Sequence, residues 1–95
     1  MSDDNEWFVY LIRTRLGHLY CGITNNLERR FRIHNSGKGA KYLKGKGPLS
    51  LEWSHTLPSK SVALKVEIQI KKLAKNKKEQ LITDELLINH VVTKI

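Results

Sequence analysis

Cysteine is nearly absent from this chain: Cys21 stands alone, so no internal disulfide forms and folds that depend on one are excluded. The four histidines, His18, His34, His55 and His90, are far apart and lack a cysteine set or a paired-ligand spacing, which argues against structural zinc. No apolar run approaches the length needed to cross a bilayer. The leading MSDDNEW is acidic and lacks the apolar stretch of a signal peptide, so the expected location is the cytoplasm, without a membrane partner. Acid is scarce too. Nine Asp and Glu face seventeen Lys and Arg, and three of the nine (Asp3, Asp4, Glu6) fall in the first six residues.

What is present is a compact basic chain. Its 95 residues make one domain, without internal repeats, and its 40% hydrophobic and 27% charged content is that of a folded protein. The net charge of +8 is clustered, with seven cations within Arg29 to Lys46 and seven within Lys60 to Lys78. Solubility alone needs less than this. A clustered excess favours a polyanion, because phosphate contacts release counterions. DNA is the expected partner; RNA, a protein partner or a homodimer remain compatible with it.

Residues 1–6 read as an acidic flexible tail, 7–82 as the domain, and 83–95 as a C-terminal extension able to form a short helix. Trp7 to Arg13 (WFVYLIR) is aromatic and β-branched, TRLGH turns with Gly17 free to take a positive φ, and Leu19 to Thr24 (LYCGIT) returns as a second strand. Asn25 as N-cap with Glu28 three residues on predicts a capping box opening a helix over residues 26–35. That helix stops at SGKGAKYLKGKGP, where four glycines and a proline break the periodicity. Leu51 to Thr56 alternates like a third strand, an antiparallel partner of the hairpin. After Pro58, Ser59 or Ser61 caps a long helix with Ala63, Val66, Ile70, Leu73 and Ala74 inward and Lys65, Lys72 and Lys75 outward. KKEQLI extends or follows that helix, and DELLINHVV is a candidate for a further one. The order β-β-α-β-α implies an α+β fold, a small three-stranded antiparallel sheet flanked by helices.

Several polar side chains sit where apolar ones belong. Arg30 is i+3 from Leu27 and His34 is i+3 from Phe31, so both flank the core seam of the first helix. Glu67 lies inside the apolar arc of the second, where an unpaired carboxylate costs several kcal/mol. On the helix alone, an ion pair with Lys71 or with Arg30 is the simpler reading. Tyr10 and Tyr20 fall in facing strands, within reach of ordinary cross-strand packing. Gly22, on the same strand face as Tyr20, leaves an open patch that a phosphate can approach. Lys38, Lys41, Lys44 and Lys46 alternate with glycines around Tyr42, placing amides, ammonium groups and one stackable ring on a mobile loop suited to backbone contact.

Taken in order, V-Y at 9 and 10, Y-C-G at 20 to 22, T-x-N-L-x-R-R-x-x-x-H from Thr24 to His34, and a lone glutamate in a later helix resemble the GIY-YIG nuclease superfamily. The GKGAKYLKGKG stretch from Gly37 to Gly47 resembles its short, single-domain bacterial group. The first motif's glycine is Phe8 here, and the second's isoleucine is Cys21. The resemblance implies that Tyr10 and Tyr20 are the motif tyrosines, Arg30 the catalytic arginine, His34 the histidine one turn later and Glu67 the metal-binding glutamate. The implied function is metal-dependent hydrolysis of DNA phosphodiester bonds, directed by DNA structure and not by sequence, in repair or processing.

The chemistry agrees. Arg30 offers phosphate a planar fork that stays charged, and a single carboxylate suits one Mg²⁺ or Mn²⁺ ligated mostly by water. Two metals need several clustered acids, which the sequence lacks. The base is open between Tyr20, whose reference pKa is about 10, and His34, which titrates near neutrality. All five side chains are expected to converge on one concave patch. The alternative is a nucleic-acid-binding module that keeps the fold and does not cut.

Overall fold

The computed structural model describes residues 6–93; most of the acidic tail read at residues 1–6 lies outside them. Strands β1 (Trp7–Arg13) and β2 (Leu19–Thr24) form the hairpin, and β3 (Ser50–Leu57) pairs antiparallel with the other edge of β1, giving the order β2-β1-β3. The hairpin turn closes through the Thr14 N–H to the His18 carbonyl at 2.9 Å, with Gly17 at φ +90°. An L side chain resists that conformation and glycine does not. Register sets Tyr10 opposite Gly22 and Ile12 opposite Tyr20.

Alternation along β1 gives the sheet two packed faces. Val9 and Leu11 join Cys21 and Leu57 beneath helices α2 (Lys60–Lys71), α3 (Lys75–Thr83) and α4 (Leu87–Val92), through Ala63, Val66, Ile70, Leu81, Ile88 and Val91. Tyr10 and Ile12 face the other way, against Leu27 and Phe31 of helix α1 (Leu27–Asn35) and Leu43 of a short 3-10 turn, Lys41–Leu43. Each fully buried aliphatic side chain contributes roughly 1.5–3 kcal/mol. The three-stranded α+β architecture expected from the sequence is the one observed.

Local details differ. The cap of α1 is Asn26, not Asn25: its side chain accepts the Arg29 N–H at 3.1 Å, which puts Glu28 one position too early for a capping box. Thr24 Oγ1 accepts the N–H of the actual cap, Asn26, at 3.1 Å, the task a capping-box glutamate would otherwise perform. The long helix after Pro58 is two helices. Ser59 caps α2, accepting the Val62 N–H at 3.2 Å, and the chain leaves helical geometry at Ala74 before α3 begins. This break lets Leu81 reach the core that Ile70 already fills. Of the segment read as an extension at 83–95, whose last two residues lie outside the described ones, Ile88 and Val91 pack into that same core. Among the described residues no helix is long and apolar enough to cross a membrane.

Candidate active site

The Tyr10 side of the sheet holds the cluster. Tyr10 is 1% exposed, its ring lying over Gly22. A Cβ on Gly22 would land on the Tyr10 hydroxyl, so the glycine is a slot for the phenol and not the open patch expected for a phosphate. His34, on the inward side of α1, is also 1% exposed. Gly39 leaves room above it, since a Cβ there would collide with the imidazole.

The hydrogen bonds of His34 settle its tautomer. Ala40 N–H donates to Nδ1 at 3.2 Å, so Nδ1 carries a lone pair and the neutral ring has its proton on Nε2. Nε2–H then donates to the Tyr10 oxygen at 2.9 Å. Burial, and then the neighbouring Arg30, lower the His34 pKa and keep this neutral form. With Nδ1 occupied and Nε2 protonated, His34 orients Tyr10 and has no free lone pair for a substrate proton.

Tyr20 is the accessible phenol. It is half-buried, with ring centroids 6.5 Å from Tyr10, 5.7 Å from His34 and 5.9 Å from Tyr42, onto which it stacks at 17°. Desolvation pushes its pKa up against the pull of Lys71 and Arg30, with Glu67 adding to the rise. Tyr10 rises to about 12, chiefly by burial, with Arg30 opposing. The Cys21 thiol, pushed to about 12 by burial, is inert at neutral pH.

Arg30 and Glu67 come from helices on opposite faces of the sheet, and both act on the Tyr20 phenol. Tyr10, Tyr20 and His34 gather, and Arg30 is near enough to act on all three. Glu67 comes from α2, on the opposite face of the sheet from α1. It acts on Tyr20 at the β2 edge and is 17% exposed, paired to Lys71 Nζ at 3.3 Å. Two clefts result. One, of about 370 Å³, is lined by Leu19, Tyr20, Cys21, Tyr42, Lys71 and Lys78. The other, of about 280 Å³, is lined by Trp7, Ile23, Thr24, Asn25, Asn26, Arg29, Arg30 and Ile33. Lys71, Lys78, Gly39 and Trp7 were not among the residues singled out from sequence; only the i+4 spacing of Lys71 from Glu67 pointed to one of them.

The glycine-lysine loop is packed, contrary to the mobile loop expected. Leu43 is buried, Ala40 is tied to His34, Arg15 N–H donates to the Lys46 carbonyl and the Arg15 guanidinium donates to the Gly47 carbonyl, both at 2.9 Å. Lys38, Lys41 and Lys44 are exposed, whereas Lys46 Nζ lies 3.7 Å over the Tyr42 ring.

Among the described residues no three His, Cys, Asp or Glu side chains group to hold a metal ion. Glu67, a single half-buried carboxylate beside a cleft, fits a hard cation that keeps most of its waters, and does not fit a metal needing a full protein cage.

The β-hairpin and following helix that carry these two phenols, the imidazole and the arginine lie within residues 6–80, which match the GIY-YIG catalytic domain, and the chain belongs to that family. Its relatives within the family are the short UPF0213 proteins. The one from Vibrio campbellii is 58% identical over 90 residues, spanning 93% of this chain and 86% of the relative. YhbQ of Escherichia coli O127:H6 is 50% identical over 78 residues, 82% of this chain and 78% of the relative. The solution NMR structure of UPF0213 protein BH0048 from Bacillus halodurans matches with a TM-score of 0.54 and 41% identity, covering 82% of this chain and 83% of that one.

Proposed function

We propose that this protein is a divalent-metal-dependent endonuclease that hydrolyses DNA phosphodiester bonds at sites set by DNA structure, in cytoplasmic repair or processing. The observation that carries this reading is the half-exposed Tyr20 phenol, backed by the Tyr10–His34 pair, with Arg30 beside it and lysines around the cleft it faces. Arg30 grips the scissile phosphate and offsets charge as it builds on the phosphoryl oxygens. Tyr20 takes a proton from the water whose oxygen attacks phosphorus, in the phenolate form that Lys71 and Arg30 favour against the opposing effect of burial. The bond to the leaving sugar oxygen breaks, and that oxygen is protonated from solvent. Tyr10 and His34 hold the Tyr20 ring in place. Glu67 is the residue to hold one Mg²⁺ or Mn²⁺, which when bound supplies charge neutralisation at the phosphate and the leaving oxygen.

The Glu67–Lys71 ion pair also supports a second reading, a module that binds nucleic acid without cutting, because the carboxylate already has a partner. Incubation of the purified protein with flap, junction, nicked and single-stranded DNA, in Mg²⁺, Mn²⁺ or EDTA, separates the two. Metal-dependent cleavage is expected. Arg30→Ala should slow it at least a hundredfold, roughly 3 kcal/mol of transition-state stabilisation, with DNA affinity nearly intact. Should the wild type cut none of these substrates in either metal, the binding module stands instead.

A further inference from the structure

Arg30 also faces a cleft that this reaction leaves unused. The space of about 280 Å³ has Ile23 and Ile33 as apolar lining, Arg29 and Arg30 as cations, and Trp7 and Asn25 along its walls. Arg30 has its task at the scissile phosphate, whereas Arg29 has none there, and among the described residues Arg29 forms no ion pair. Asn25 is exposed and is not used as the helix cap, a task Asn26 performs. Outside the cleft lining, Lys60 Nζ stands 5.4 Å from the Trp7 ring centroid, a further cation near the indole.

We propose that this cleft is a subsite for one unpaired nucleotide of the DNA strand next to the scissile phosphate, with Arg29 on that nucleotide's phosphate and Trp7 as the surface its base packs on. The flanking position rests on the phosphodiester reading above, because Arg30 lines this cleft and also acts on Tyr10 and Tyr20. The volume lies just under the roughly 300–1,000 Å³ of drug-sized pockets, enough for one nucleotide and too small for a duplex. A stacked, paired base cannot offer its face to an indole without leaving the helix. Cations set around an aromatic ring are the means by which proteins hold single strands without reading sequence. The substrate class that follows is DNA with an unpaired nucleotide at the cut, such as a flap, a gap or a single-stranded end, in preference to intact duplex.

Tryptophan fluorescence tests this directly. Trp53 is the only other tryptophan, so a Trp53→Phe background reports on Trp7 alone. In EDTA, where nothing is cut, oligothymidylate should quench this signal, and duplex of equal length at equal salt should not. Arg29→Ala should weaken oligothymidylate binding at least fivefold and leave duplex binding within twofold. Trp7→Leu should do the same, with Trp7→Phe restoring most of the affinity. Trp7 packs partly against the core; if Trp7→Leu fails to fold by circular dichroism, Arg29→Ala, at an exposed helical position, decides the matter. Equal quenching by duplex, or an Arg29→Ala variant that binds both DNAs like its parent, overturns the subsite even if the protein proves to be a nuclease. Selective quenching without cleavage in Mg²⁺ or Mn²⁺ supports the subsite and rejects the nuclease.

Discussion

His34 works as an acceptor at one nitrogen and a donor at the other, and that division makes it sensitive to acid. Protonation puts a hydrogen on Nδ1, where it meets the Ala40 N–H, so the amide loses its acceptor and two donors face each other. The sign follows from the lowered folded pKa. As pH falls below about 6.5, the unfolded chain takes up a proton that the folded one resists, and stability drops until the folded pKa is passed. Above pH 6.5 this loss is absent. Thermal unfolding followed from pH 7.5 to 5 should show a falling Tm, with amide exchange at Ala40 accelerating first. His34→Gln, which keeps a side-chain acceptor and donor without titrating, should flatten the pH dependence. An unchanged slope in that variant assigns the acid sensitivity elsewhere.

At the scale of the element, the loop over residues 37–47 joins two roles that the sequence does not separate. Its buried part, Leu43 with the Ala40 amide, closes the Tyr10 side of the sheet, and its exposed part presents Lys38, Lys41 and Lys44. The lysines are free to meet phosphates because the backbone beneath them is fixed by Arg15 and His34. Replacing Lys41 and Lys44 together by Ala should therefore leave the fold intact and make the log K against log salt slope shallower by roughly 1.4 to 1.8, the release from two phosphates. An unchanged slope moves the DNA path off this loop. Lys46 is different, since its ammonium already lies on the Tyr42 ring.

The whole molecule is drawn together across the sheet's end by Arg13. From β1 its guanidinium donates to both Glu79 carboxylate oxygens on α3, each at 2.8 Å, while Glu52 of β3 lies 3.5 Å away and Lys75 contacts Glu79 at 3.2 Å. This partnership holds the Glu79 pKa down to about 2. A depressed carboxylate stabilises the fold above its ordinary value of about 4.5, and the gain disappears as pH falls from there toward 2. With both partners about a third exposed, solvent screening limits the network to about 1 kcal/mol. Glu79→Gln should lower stability by about that amount at pH 7 in denaturant titrations and match the parent near pH 2. A variant as stable as the parent at pH 7 would make the clamp energetically neutral.

Local rules were enough for much of this protein. The β-branched and aromatic run from Trp7, the glycine in the hairpin turn, the spacing of Leu27 and Phe31 and the cap at Ser59 each act over a few residues, so strands and first helix follow from the chain alone, while the edge of the hairpin that β3 joins does not. The same spacing singled out Tyr10, Tyr20, Arg30, His34 and Glu67 as polar groups on inward faces. Periodicity cannot tell one long helix from two that share a core, so the break at Ala74 became visible only once Leu81 and Ile70 were packed together. Nor does it tell which neighbour fills the space above a glycine: Gly22 read as an opening and proved to be the seat of Tyr10. Which face of the sheet each helix covers is a long-range outcome of packing. Packing put the helices that carry Arg30 and Glu67 on opposite faces of the sheet, brought both charges to bear on the Tyr20 phenol at the edge strand, and joined Trp7 to Arg29 in a cleft that no spacing along the sequence encodes.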